Sequence, residues 1–113
     1  MIKRGEIWWA ELDDPRGSEP GFRRPVVVVQ ADSFNRSHIG TVVVAAITSN
    51  RDLVRAPGNV GLTRRDSKLS RYSVVNVSQL LTLDRRFLTK KICRLPEQMM
   101  EGIDSGLRLV LFL

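Results

Sequence analysis

The chain is poor in the residues on which many catalytic centres are built. It has one cysteine, Cys93, and one histidine, His38, in 113 residues. A lone cysteine excludes an intrachain disulfide and a cysteine-ligated zinc site, and its thiol reads as a small buried hydrophobe. A lone histidine excludes, within one chain, acid–base chemistry by a histidine pair. No apolar run approaches the roughly 18 residues that a membrane helix needs. The opening Met1-Ile2-Lys3-Arg4-Gly5-Glu6 lacks the apolar stretch of a secretory leader; the expectation is a cytoplasmic protein with no membrane partner. There is no Gly-rich phosphate-binding motif, no internal repeat and no low-complexity tract. Acid is the scarce charge: 12 Asp+Glu stand against 18 Lys+Arg, for a net +6 and a pI near 10.4. That balance favours a polyanionic partner, a nucleic acid or an acidic protein. Most of the surplus is arginine, whose planar fork suits phosphate better than the lysine ammonium does.

What is present is strand. Glu6 to Asp13 is rich in strand formers, and Asp14 to Gly21, carrying Pro15, Gly17, Pro20 and Gly21, reads as a loop. Pro25 to Gln30 is a β-branched run of the kind found in a doubly covered central strand. Asp32 can cap a short helical turn through Arg36. Thr41 to Thr48 is a second buried strand, Ser49 to Pro57 an exposed loop, Asn59 to Leu62 a short strand and Thr63 to Arg71 a charged connection. Tyr72 to Val77 and Lys91 to Leu95 complete the strands. Pro96 to Leu111 is the clear helix, with Pro96 at its first position. Met99, Met100, Ile103, Leu107, Val110 and Leu111 form one apolar stripe along it. Gly102 and Gly106 sit inside that helix, each costing about 1 kcal/mol relative to Ala, which points to close packing there. The hydrophobic fraction of 42% and the length suit one domain over residues 1–113. The fold class expected is mainly β with short helices (α+β): a bent antiparallel sheet or small barrel closed by a C-terminal helix.

Four ordered motifs narrow this further. Lys3-Arg4-Gly5-Glu6-Ile7-Trp8 is followed by Gly17-Ser18-Glu19, then Arg24-Pro25-Val26-Val27-Val28, then Ala46-Ile47-Thr48-Ser49. In that order and spacing the chain resembles the MazF/PemK/Kid toxins of bacterial toxin–antitoxin pairs. The likeness continues through Asp32 to Asn35, Ser73 to Gln79, Leu83-Asp84 and Lys90 to Ile92 into the helix. It implies the SH3-like barrel fold shared with the CcdB gyrase poison, a homodimer and a MazE-like antitoxin partner. It also implies metal-independent, cofactor-free cleavage of single-stranded RNA at a short specific sequence. In that chemistry the ribose 2′-hydroxyl attacks the adjacent phosphate and leaves a 2′,3′-cyclic phosphate and a 5′-hydroxyl.

The resemblance assigns roles that the residue types can fill. Arg24 precedes a proline, which biases its backbone to extended geometry at the mouth of a strand. A guanidinium held there can grip two phosphate oxygens and stabilise a pentacovalent transition state. Arginine stays charged across the physiological range, so charge stabilisation rather than proton transfer is the role read here. Thr48 matches the catalytic threonine or serine of the family, with Ser49 as a nearby substitute. Ser18 and Glu19 lie in the loop that covers RNA in the family, and Arg23 adds a second charge beside Arg24. Gln79 matches a glutamine near the RNA groove and can read a base edge, and Asn35 is a further candidate contact. Ser78 and Leu81 stand where the family often has an acidic residue and an arginine, which leaves the recognised RNA sequence open. Trp8 and Trp9 are adjacent in a strand and point to opposite faces, so one is core and the other is free to stack on a base or line an interface. Asp13-Asp14 has no carboxylate partners near Arg24 or Thr48 in sequence, and no metal site is expected. Two alternatives remain: a gyrase-poisoning protein of the same fold without catalysis, and a nucleic-acid-binding regulator with an inactive site.

Overall fold

The computed structural model describes residues 1–12, 17 and 22–113. Its strands are β1 (Glu6–Glu11), β2 (Arg23–Val28), β3 (Thr41–Thr48), β4 (Val60–Leu62), β5 (Ser73–Asp84) and β6 (Leu88–Arg94), with helices α1 (Asp32–Asn35), α2 (Arg64–Ser67) and α3 (Glu97–Leu111). Among the described residues the strands form one sheet in the order β4-β5-β3-β2-β1-β6, and every neighbouring pair is antiparallel. No helix among them is long and apolar enough to cross a membrane.

The valine runs of β2 and β3 explain the middle of the sheet. A strand buried on both faces needs apolar residues at every position rather than at alternate ones. Val26, Val28, Val42 and Val44 pack with Ile2, Ala10 and Leu88 on one face. Val27, Ala45 and Ile47 pack on the other with Ile7, Val75 and Val77, beneath Met100 and Ile103 of α3. The two tryptophans divide as their alternation requires: Trp8 packs on the first face and Trp9 on the second. Neither becomes a fully buried core residue; both are half-buried.

The long β5 gives the sheet its curl. Ala45 faces Leu80 while the next residue, Ala46, faces Asn76, so Val77, Ser78 and Gln79 are extra on β5. Extra residues in one strand bend it and increase its twist, and the sheet closes into a half-barrel. The expected fold class is therefore the observed one, with shifts at its edges. β5 runs seven residues beyond Val77, held by pairing with Thr41–Ala45 of β3. The charged connection contains α2, capped where the Thr63 side chain accepts the Asp66 N–H at 3.2 Å. Pro96 sits at the cap position of α3, one residue before the helix.

Glu6 is the buried charge of this framework, 2% exposed. Its carboxylate accepts the Lys3 N–H at 2.9 Å and Trp8 Nε1 at 3.0 Å, and pairs with Lys91 Nζ at 2.9 Å. Burial alone would push its pKa up; the hydrogen bonds from Lys91, the Lys3 backbone and Trp8 outweigh that and hold it below the usual range. A depressed carboxylate contributes stability above its unfolded pKa of about 4.3 and loses it as pH falls through the folded value. Glu6→Ala should therefore cost roughly 2–3 kcal/mol at pH 7, since it removes a charged acceptor from three donors at once. The gap to the native chain should close in urea titrations run below about pH 4. A penalty equal at pH 7 and pH 3 would show that the carboxylate charge is irrelevant.

Candidate active site

Antiparallel pairing makes the start of β2 and the end of β3 neighbours. Val26 lies opposite Ala46, and the same register continues toward Arg24 and Thr48 at the open end of the pair. β5 pairs β3 on its other side with Val74 opposite Thr48, which brings the segment just before β5 to the same place. The result is a cavity of about 290 Å³ whose walls include Trp9, Arg23, Arg24, Thr48, Ser49 and Arg71. Among the described residues three guanidinium-bearing side chains line it and no carboxylate or imidazole does.

The Arg24 Nε is buried and finds no hydrogen-bond partner among the described residues. A buried donor left unpaired costs about 1–3 kcal/mol, and such groups persist where a ligand or reaction needs them. Arg23 lies 4.2 Å over the Trp9 ring. Its ion pair with Glu11, at 3.5 Å and half-exposed on both sides, adds little. The Thr48 hydroxyl oxygen accepts the Asn50 N–H at 3.1 Å, which orients the side chain and leaves the hydroxyl proton to be donated. The pocket thus combines positive charge, a directed hydroxyl and a buried N–H with no acceptor among the described residues.

Of the residues singled out from sequence, the fold brings Arg23, Arg24, Thr48 and Ser49 together. Ser18 and Glu19 lie outside the described residues. Gln79 is half-buried in the irregular stretch of β5 and does not line this cavity. Asn35 lies apart from this cavity. It is 3% exposed, accepting from Gln30 Nε2 at 2.9 Å and donating to the Gln30 carbonyl and the Asp32 carboxylate, both at 3.0 Å. Its amide fastens the turn after β2. Arg71 was not foreseen. It sits between Ser70 and Tyr72 in a polar connection that carries no motif, and only the β3–β5 pairing delivers it. Cys93 is half-buried and its thiol contacts the Ser67 carbonyl at 3.0 Å. Burial pushes that thiol up, away from the reactive thiolate. No group of three or more His, Cys, Asp or Glu converges among the described residues.

Fold and pocket define a small curled half-barrel with a cationic cleft at the open end of its central strands. The family model described as PemK-like, MazF-like toxin of type II toxin–antitoxin system matches residues 3–111, and the chain belongs to that family. It is 47% identical over 111 residues to the endoribonuclease MazF6 of Mycobacterium tuberculosis, covering 98% of this chain and 97% of that protein. The same figures hold for the endoribonuclease MazF2 of Mycobacterium bovis. Solved structures agree on the fold. An endoribonuclease in complex with its cognate antitoxin from a mycobacterial species superposes with a TM-score of 0.83 at 23% identity, covering 100% of this chain and 97% of that one. MazF from Deinococcus radiodurans gives 0.80 at 22% identity, over 99% and 97%.

Proposed function

We propose that residues 1–113 act as a single cytoplasmic toxin domain that cleaves single-stranded RNA at a short specific sequence, without a metal. It works as a homodimer and is silenced by a MazE-like antitoxin. The observation that carries this reading is the Arg24 guanidinium, whose buried Nε has no partner among the described residues, sharing one cavity with the directed Thr48 hydroxyl. Near-half identity to proteins named endoribonucleases supports it.

The chemistry follows from what the cavity offers. The RNA 2′-oxygen attacks its neighbouring phosphorus, and the bond to the 5′-oxygen breaks. Charge builds on the non-bridging oxygens as phosphorus becomes pentacovalent. The Arg24 guanidinium and the Thr48 hydroxyl donate to those oxygens, and fixed donors of this kind stabilise the transition state more than the ground state. Among the described residues no carboxylate or imidazole lines the cavity; in this reading water takes the 2′-hydroxyl proton and returns one to the departing 5′-oxygen. Arg23 and Ser49 hold the flanking backbone. Gln79 reads a base edge, and Ser18 and Glu19 close over the strand from the first loop. An acidic antitoxin segment competes for the same positive surface, folding as it binds.

The test begins by mapping 5′ ends after brief incubation with total RNA, which gives the preferred sequence. An oligonucleotide of that sequence should be cut in excess EDTA to a 2′,3′-cyclic phosphate and a 5′-hydroxyl. The same oligonucleotide with one 2′-deoxyribose at the scissile position should bind and stay intact. Cutting of the deoxy substrate, or loss of activity in EDTA, would overturn the mechanism.

A further inference from the structure

A second cavity, about 610 Å³, adjoins the first and shares Ser49, Ser70 and Arg71 with it. Its remaining wall is formed by Arg51, Thr63, Arg64 and Tyr72, with no acidic side chain among the described residues. Arg51 lies 4.5 Å over the Tyr72 ring. The ring is seated rather than free. A methyl group on Gly61 of β4 would overlap the Tyr72 hydroxyl, so the tyrosine occupies space that only glycine leaves. Both halves of this stack hang from the strands that build the candidate active site. Arg51 follows the turn in which Thr48 accepts the Asn50 N–H, and Tyr72 is two residues before Val74, which pairs with Thr48. The first cavity holds a matching stack, Arg23 over Trp9. The two guanidinium-on-ring stacks thus stand in different cavities, joined through the shared Ser49, Ser70 and Arg71 wall.

We propose that the second cavity is a nucleotide subsite: the base next to the scissile phosphate stacks on the Arg51–Tyr72 platform, while Arg64 and Arg71 hold its backbone phosphate. The inference rests on the RNA-cleaving reading of the first cavity. Single-stranded RNA is held by splayed bases stacked on aromatic rings and guanidinium planes, alongside a cationic groove that tracks the backbone. Stacking tolerates any base, so this subsite supplies affinity and holds the strand in place, while base-edge contacts elsewhere choose which phosphate reaches Arg24.

The experiment pairs protein variants with abasic RNA. Arg51→Ala and Tyr72→Ala are made in the full chain, and each nucleotide flanking the cut is in turn made abasic in the mapped oligonucleotide. Each variant should raise KM by roughly 10-fold to 100-fold, the worth of one stacked base, with a much smaller change in kcat. At one flanking position the abasic RNA should weaken the native chain by a similar factor and weaken the variants no further. Arg51 is exposed, so its variant tests the proposal even if Tyr72→Ala does not fold. Independent, multiplying losses at both flanking positions, or an unchanged KM for Arg51→Ala, would overturn the subsite while leaving the cleavage reading intact. A native chain that cuts no RNA would remove the cleavage reading itself, and the subsite with it.

Discussion

Arg24→Ala should abolish RNA cleavage without loss of stability. Removing a single hydrogen-bond donor from a transition-state oxyanion typically costs 10²–10³ in rate. Here one substitution removes the charge as well as the donors, so single-turnover cleavage should fall by at least about 10³-fold. Stability should move the other way or not at all. The Arg24 Nε is buried with no partner among the described residues, and deleting an unsatisfied buried donor relieves a desolvation cost rather than creating one. A site kept at the expense of stability is the expected signature of function. Arg24→Lys should recover little activity, because an ammonium restores the charge but not the planar fork that meets two oxygens at once. Two measurements decide it: the single-turnover rate on the mapped oligonucleotide and the urea midpoint. Turnover within tenfold of the native chain would remove Arg24 from the chemistry. A collapse of the midpoint would make it a structural residue.

Much of this architecture was legible residue by residue, and the misses share a cause. The valine runs of β2 and β3 announce a doubly covered centre because no exposed strand tolerates them. The leucine-rich continuation of β5 announces nothing by itself; Thr41 to Ala45 make it a strand by pairing with it. The stripe on α3 shows which side of the helix is apolar but not how far the core extends beneath it. Met100 and Ile103 are buried, whereas Val110 and Leu111 are 42% and 50% exposed. At the site, Arg24 and Thr48 were found through family likeness, and antiparallel register explains why residues 24 positions apart meet. Arg51, Arg71 and Tyr72 could not be found that way, because their neighbours are set by topology rather than by a local pattern. The surroundings of Asn35 were hidden for a local reason. A polar residue at the end of a short turn reads as exposed, yet its amide bridges Gln30 and Asp32 inside the fold.

The two glycines of α3 should respond to alanine in opposite directions. From sequence they look alike, each weakening the helix by about 1 kcal/mol relative to Ala. Their surroundings differ. A Cβ at Gly102 would lie 3.5 Å from Val60 Cγ2, an ordinary contact, so Gly102→Ala should stabilise the chain by about 0.5–1 kcal/mol. A Cβ at Gly106 would overlap the Gly58 carbonyl oxygen and come within 2.9 Å of its carbonyl carbon. Here backbone meets backbone, and there is no flexible side chain to swing aside. The loop cannot easily retreat either: Asn59 donates to the Leu53 carbonyl at 2.9 Å and accepts the Val77 N–H at 3.0 Å. The helix must then lift, and Ile103 and Met100 leave the core they cover. That combination belongs with the rare substitutions that cost more than about 4 kcal/mol. The loop at Gly58 leads into β4, whose Gly61 seats Tyr72. Gly106→Ala should therefore weaken RNA binding in any fraction that stays folded, whereas Gly102→Ala should leave binding as it was. Urea midpoints for the two variants shifting in the same direction would show that α3 does not approach the loop this closely.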